Sequence, residues 1–378
     1  MTDLHRLYAL SHSLYSGRAR AYLIKQRIAF QELSTGHESF KTEVLPKAKL
    51  ATIPTLVTPT GEVIRDGAAI IEHFESANGR PSQPQGPCQQ IISALFDVIG
   101  HDGLLRPAMH YRWNFPTENL HFVQYHFLHA QRDTPERAEK TEHMMNRMRH
   151  VTEVFGVTEQ SQPLVEALYT EYLDAFNAHF EQYPYLLGWK PCVGDYGLLA
   201  PLYAHLGRDP YPASLMQQRA PRVYRWVERM NRPDQDVPEF FTPGTDFLNN
   251  DEIPETLMAV LRAVAEDCVP ETRAAAEVAN HRLGEHRPGA GAAAVRGRGG
   301  GVCVHDATAV YGERNDGDDD PPVAFRGNAA AHPWIGQTSP AIDVECVQCF
   351  ERVNGTTGKY AVVLDPSRCA YVADGVAI

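Results

Sequence analysis

The run Ile53-Pro54-Thr55-Leu56-Val57-Thr58-Pro59-Thr60-Gly61-Glu62-Val63-Ile64-Arg65-Asp66-Gly67 decides the fold of the first part of this chain. Two short β-prone stretches flank a Thr-Pro-Thr-Gly turn, and the second runs straight into Ala68-Ala69-Ile70-Ile71, which opens a helix. Proline has no amide hydrogen to give to a sheet ladder, so Pro54 belongs at a strand end or an edge, and an X-Pro bond is where a cis peptide occurs. A cis bond leaves the amide and carbonyl of Ile53 unpaired and facing out. Together with Asp66 at the start of the next helix, those groups form a receptor for the backbone of a bound peptide.

Working outward from this hairpin, residues 4–77 alternate between extended and helical patterns. His5 to Leu10 reads as a strand, Ser16 to Arg27 as a helix, Ile28 to Leu33 as a second strand and Phe40 to Leu45 as a short helix; Gly67 to Ser76 closes the unit. The predicted order is strand-helix-strand-helix-strand-strand-helix, an α/β arrangement over residues 1–80. Gly79, Pro81, Pro84, Gly86 and Pro87 then mark a linker. Beyond it, spacing of three to four predicts helices over Gln89 to Ile99, Thr117 to Phe127, Arg137 to Phe155, Pro163 to Tyr183, Tyr196 to Leu206 and Pro221 to Met230. Pro254 to Asp267 and Pro270 to Leu283 read as two more, each opened by proline. Residues 88–284 are therefore expected to be an all-α helical bundle. From 285 to 378, a Gly/Ala/Arg-rich run and then Asp316-Gly317-Asp318-Asp319-Asp320 replace this pattern, predicting a disordered or poorly ordered tail. The abruptness of the change near Gly284 also fits a shifted reading frame. Peptide mass spectrometry of the natural protein rejects that reading if it recovers the tail as written.

Composition narrows the function classes. Of 378 residues, 43% are hydrophobic, ordinary for a globular protein. The formal net charge of −12 argues against nucleic-acid and anionic-membrane partners. The N-terminus lacks the layout of a signal peptide, no apolar run reaches the length of a membrane span, and seven scattered cysteines suit a reducing compartment, so a cytoplasmic protein is expected.

The first strand leads into Ser11-His12-Ser13-Leu14-Tyr15-Ser16, where a helix N-terminus faces the end of the sheet. A hydroxyl there can donate to a thiolate and lower the thiol's pKa; it can equally do no more than cap the helix. Histidines crowd the next region, and His126 with His129 share a helical face, but nothing completes a metal set and no metal is expected. His110-Tyr111-Arg112-Trp113-Asn114-Phe115 reads either as a lining for an apolar substrate or as core or interface. Cys346-Val347-Gln348-Cys349 is a lone C-x-x-C pair and weak as a metal or redox motif.

Taken together, residues 4–77 resemble the thioredoxin-like N-terminal domain of the cytosolic glutathione transferases, and residues 88 to about 230 resemble their all-helical second domain. The resemblance rests on Ser13-x-x-Ser16-x-Arg18-x-Arg20, on Ile53-Pro54-Thr55-Leu56, on Asp66-Gly67-Ala68-Ala69-Ile70 and on Pro191-Cys192-Val193-Gly194-Asp195. It implies a cis Pro54, an Ile53 backbone that pairs with the cysteinyl part of glutathione, and a helix start at Asp66-Gly67 that holds the γ-glutamyl end. It implies a thiol-activating hydroxyl at Ser13, with Ser16 second and Ser11 third. It further implies glutathione as co-substrate, a small electrophilic, apolar substrate and a homodimer. Three departures stand out. Gly67 replaces the usual hydroxyl residue, Cys192 before Asp195 leaves half of a capping box, and the absence of cysteine before residue 88 removes the thiol-transferase mechanism. A binding protein that keeps the scaffold without catalysis, or a glutathione-dependent isomerase or lyase, fits the same residues.

Overall fold

Four short strands form one sheet in the order β2-β1-β3-β4: β1 is His5–Tyr8, β2 Phe30–Leu33, β3 Thr55–Val57 and β4 Val63–Arg65. The computed structural model describes residues 4–285, 348–351, 359–362, 372–373 and 376–377. β1 and β2 are parallel, as a helical crossover requires, with His5 opposite Phe30. β3 lies antiparallel to β1, with Tyr8 opposite Thr55, and β4 returns antiparallel to β3, with Thr55 opposite Arg65. This is the thioredoxin-like α/β domain, followed by helices.

The crossover helix α1 spans Leu14–Lys25 and buries nearly its whole circumference, from Leu14 to Leu23. Two of those residues are arginines, and a buried guanidinium is tolerated only with a partner. Arg18 donates to Asp97 at 2.5 Å, and Arg20 makes a fork-to-fork pair with Glu32 at 2.6 and 2.5 Å. On the other side of the sheet, a π-helical turn over Phe40–Val44 and the one-turn helix α2, Leu45–Ala48, bring Phe40, Val44 and Ala48 onto Tyr8 and Val57. Helix α3, Gly67–Ala77, completes the domain. The linker is fastened rather than loose. Glu75 is fully buried, accepts from the Tyr22 hydroxyl at 2.7 Å and from the Ser82 amide at 3.1 Å, and the Ser82 carbonyl accepts from the Val193 amide.

The helical part comprises α4 (Pro87–Val98), a π-helical turn (Ile99–Gly103), α5 (Leu105–Trp113), α6 (Pro116–Ala130), α7 (Arg137–Val154), α8 (Gln162–His179), α9 (Val193–Ala204), α10 (Pro210–Arg219), α11 (Pro221–Met230) and α12 (Glu255–Glu285). Two of these, α5 and α10, were absent from the sequence expectation. α5 is buried on almost every side and so shows no polar stripe, whereas α10 opens on Pro-Tyr-Pro, which reads as a turn. Pro270 does not divide the last helix into two as expected; it lies inside α12. Its fixed φ is already helical, and the helix continues past one lost amide bond. The expected half capping box is also corrected. Asp195 accepts from the Cys192 amide at 2.9 Å, and the Cys192 sulfur faces the Asp195 amide in place of a hydroxyl, so both halves are present. Asp195 is fully buried and takes two further donors, Leu186 N–H at 3.2 Å and Trp226 Nε1–H at 3.1 Å.

α9 forms the centre, packed between α1 and α4. Its approach to the last turn of α4 is backbone to backbone. A β-carbon on Gly197 would lie 2.5 Å from the Asp97 Cα and 2.8 Å from its carbonyl oxygen. Neither atom can rotate away, so Gly197→Ala is expected to destabilise the protein by about 1–3 kcal/mol, measured by urea denaturation. An unchanged midpoint would show that the two helices can separate without cost.

Residues 265–378 form a second unit. In it the chain described after α12 consists of two short antiparallel pairs, Gln348–Glu351 with Lys359–Val362 and Val372–Ala373 with Val376–Ala377. The irregular tail expected from 285 onward, the shifted reading frame and Cys346 otherwise lie outside the described residues.

Candidate active site

Strand direction gathers the candidate residues. β1 ends at Tyr8, β3 begins opposite it at Thr55, and β4 ends opposite that same residue at Arg65. The turn carrying Ser11, His12 and Ser13, the Ile53–Pro54 segment and the Asp66–Gly67 helix start therefore occupy one end of the sheet. The Asp66 amide donates to the Pro54 carbonyl at 3.0 Å, which closes two of the three segments together. The third adjoins through Gly67, whose α-carbon faces the Tyr15 carbonyl and the Arg18 side chain at the start of α1.

The Ile53–Pro54 bond is cis. Ile53 is half-buried, and among the described residues no hydrogen bond occupies its amide or carbonyl. Asp66 sits at φ 81°, ψ 142°, a conformation unfavourable for a residue with a side chain, and its carboxylate accepts from the Ala68 amide at 2.7 Å. The helix start is thus capped from within, and one carboxylate oxygen is committed to it. Where a hydroxyl residue would reach forward at position 67, the Cδ of Arg18 lies 3.3 Å from the place of a β-carbon.

The three serines have different surroundings. α1 begins at Leu14, two residues earlier than the spacing predicted, which makes Ser13 its N-cap. Ser13 is half-buried, and its side chain makes no capping bond. Ser16 lies inside the first turn, fully buried, with its Oγ accepting from the Leu10 amide at 3.3 Å. In that placement its hydroxyl holds the end of β1 and does not reach the surface. Ser11 is half-buried, and its Oγ lies 3.3 Å from Nδ1 of His126 on α6.

Residues distant in sequence surround this turn. Arg112, on α5, donates to the His12 carbonyl at 2.8 Å, to both oxygens of Asp209 at 2.6 and 3.0 Å, to Nε2 of His205 at 2.7 Å and to the Ala204 carbonyl at 2.9 Å. Arg208 donates to the Ser11 carbonyl at 2.5 Å and to Nε2 of His126 at 3.1 Å, with its guanidinium over the rings of Tyr203 and Phe122. Burial, joined by the nearby arginines, holds His12 and His205 well below the usual imidazole range, and burial with Arg208 holds His126 down to about 4. The imidazoles are therefore neutral near pH 7, and the positive charge at this end of the sheet is carried by arginine. Of these helical-domain residues the sequence singles out only His126, as a metal candidate, and Arg112, within the group from His110 to Phe115. His129 points elsewhere, donating to the Tyr125 carbonyl at 2.7 Å. His110 to Phe115, left open between substrate lining and core, resolves as core. His110, Tyr111 and Trp113 are buried, and Phe115 stacks on Tyr211 at 3.9 Å.

With this geometry established, comparison with known proteins is direct. The family described as Glutathione S-transferase, N-terminal domain, matches residues 7–82, and that described as Glutathione S-transferase, C-terminal domain, matches residues 126–234. The chain belongs to the glutathione transferase family. Solved structures similar to this family member include a glutathione S-transferase from Rhodospirillum rubrum F11, with 13% identity, 67% of this chain and 98% of that chain covered, and a TM-score of 0.38. Another is glutathione transferase GSTFuA3 from Phanerochaete chrysosporium, with 12% identity, 62% and 98% covered, and a TM-score of 0.45. A third is a glutathione transferase family member from Pseudomonas fluorescens Pf-5 with two glutathione bound, with 13% identity, 70% and 93% covered, and a TM-score of 0.38. No curated protein matches this glutathione transferase family member. Among its described residues no helix is long and apolar enough to cross a membrane, and no group of three or more His, Cys, Asp or Glu could hold a metal ion.

Proposed function

We propose that this protein binds glutathione at the sheet end formed by Ile53, Pro54, Asp66 and Gly67 and activates its thiol for attack on a small electrophile. The observation that carries this reading is the meeting of an unoccupied Ile53 backbone, a capped helix start and a hydroxyl-bearing turn at one end of the sheet. The Ile53 amide and carbonyl offer the antiparallel pairing a cysteinyl backbone needs, and the N-terminus of α3 suits a carboxylate. Ser13 supplies a hydroxyl that donates to the sulfur and favours its thiolate form, with no covalent enzyme intermediate. The electrophile is small and apolar. Action in a reducing cytoplasm and self-association into a homodimer belong to the same reading.

Ser13→Ala is expected to lower turnover of a model aryl halide on the order of tenfold to a hundredfold while glutathione still binds. Unchanged turnover would remove Ser13 from the mechanism. One observation favours a second reading, a binding protein on the same scaffold. Gly67 offers no side-chain hydroxyl to the γ-glutamyl carboxylate, and Arg18 crowds the place where one would stand. Calorimetric titration of the full chain with glutathione separates the two: measurable heat of binding supports the enzyme, and none supports the binding protein.

A further inference from the structure

The polarity of the contact between Ser11 and His126 can be worked out from its neighbours. A guanidinium only donates, so the 3.1 Å contact from Arg208 makes Nε2 of His126 an acceptor. A neutral imidazole with a lone pair on Nε2 carries its proton on Nδ1, and Nδ1 faces Ser11 Oγ at 3.3 Å. His126 therefore donates to Ser11. This is the reverse of a nucleophile and its base, since the nitrogen facing the hydroxyl already holds a proton and cannot take another. A hydroxyl that accepts one hydrogen bond becomes a better donor of its own, and its proton is turned away from the imidazole. Arg208 also donates to the Ser11 carbonyl at 2.5 Å, so one residue holds both the backbone of Ser11 and the imidazole that faces its hydroxyl. The charged and titratable groups facing His126 are Arg208, Arg112, His12, His129 and Tyr125, and among the described residues none that touches it is a carboxylate.

We infer that Ser11 is a second hydroxyl donor to the bound thiolate beside Ser13, oriented by His126 and Arg208 as positioning residues. The inference rests on the glutathione reading above and adds to it: the helical domain, through α6 and the segment after α9, sets the strength of a donor in the thioredoxin-like domain. Electrons and protons balance simply. The thiol proton leaves to solvent, no bond to the protein forms, and the negative charge on sulfur is shared by two hydroxyl donors.

The test measures the thiolate fraction of bound glutathione by ultraviolet absorbance across pH, in the full-length protein at saturating glutathione. Ser11→Ala is expected to lower the thiolate fraction near neutral pH about tenfold, since it deletes one charge-assisted hydrogen bond. His126→Leu is expected to reproduce that loss. His126→Asn, whose amide can donate from near the place of Nδ1, is expected to keep the fraction within about threefold of wild type. Melting temperatures of all three variants accompany the titration, because a purely structural contact would move stability and leave the thiolate fraction alone. An unchanged thiolate fraction in a Ser11→Ala protein that still binds glutathione overturns this assignment and leaves the proposed function standing. Failure of the wild-type protein to bind glutathione overturns both.

Discussion

Arg112→Met is expected to lower the unfolding free energy by about 3–5 kcal/mol, seen as a fall in the denaturation midpoint with little change in slope. The size follows from what remains. Asp209 is fully buried and bonded to Arg112 through both oxygens, so removing the guanidinium leaves an uncompensated charge in the interior. The carbonyls of His12 and Ala204 and the Nε2 of His205 lose their donor at the same time. Removing both charges together discriminates between causes. Arg112→Met combined with Asp209→Leu is expected to recover a large part of the loss, because a buried pair replaced by apolar residues leaves nothing unpaired. A double variant as unstable as the single one would assign the cost to the three lone acceptors rather than to the orphaned carboxylate.

His179→Gln is expected to flatten the acid side of the stability profile by about 3 kcal/mol between pH 7 and pH 4. His179 is fully buried, with Nδ1 2.9 Å from Thr256 Oγ1, and its ring lies against Phe180 and Tyr183. Burial holds its pKa down to about 4, offset in part by the nearby backbone of Tyr185 and Leu186. In the unfolded chain the imidazole binds its proton below about 6.5, whereas in the folded protein it does so only below about 4. Between those values the unfolded state holds more protons, so stability falls as pH falls through that window. Asp195 acts in the opposite sense, since burial pushes its carboxyl up to about 6 and the folded state then takes up a proton first. The Asp195 contribution is common to the wild type and the variant, whereas that of His179 is present in the wild type alone. The difference between their unfolding free energies across pH therefore isolates it, and two parallel profiles would show that His179 is not buried as a neutral ring.

How much of this was legible in the sequence depended on how local the cause was. Strand and helix alternation in residues 4–77 follows from apolar periodicity and from the constraints of Pro54 and Gly61, so the hairpin and its following helix were found almost to the residue. The helix ends were less so. Ser16 reads as a helix start, whereas α1 opens at Leu14, and that shift of two residues decides which serine stands at the N-cap position and which is buried. The cap of α4 is a longer-range case: the sequence offers Gly86, and the partner that accepts from the Cys88 and Gln89 amides is Asp251, more than 160 residues away. The site divides in the same way. Ile53, Pro54, Asp66 and Gly67 act through backbone geometry that a few adjacent residues dictate. Arg112, Arg208 and His126 reach the β1–α1 turn from far along the chain, separated from their partners there by 100, 197 and 115 residues. No spacing rule connects them to that turn.

The place beside Gly67 has an evolutionary consequence. Arg18 runs past that glycine on its way to Asp97, and its Cδ stands 3.3 Å from where a β-carbon would be. Because the guanidinium end is tied at 2.5 Å, the stem of Arg18 has little room to yield. A hydroxymethyl group at position 67 and the present course of Arg18 are therefore rival claims on one small volume. A lineage that acquires a hydroxyl at 67 must displace the stem of Arg18 by a few tenths of an ångström, and with it the end that donates to Asp97. The three positions form an epistatic unit, in which the effect of each substitution depends on the other two.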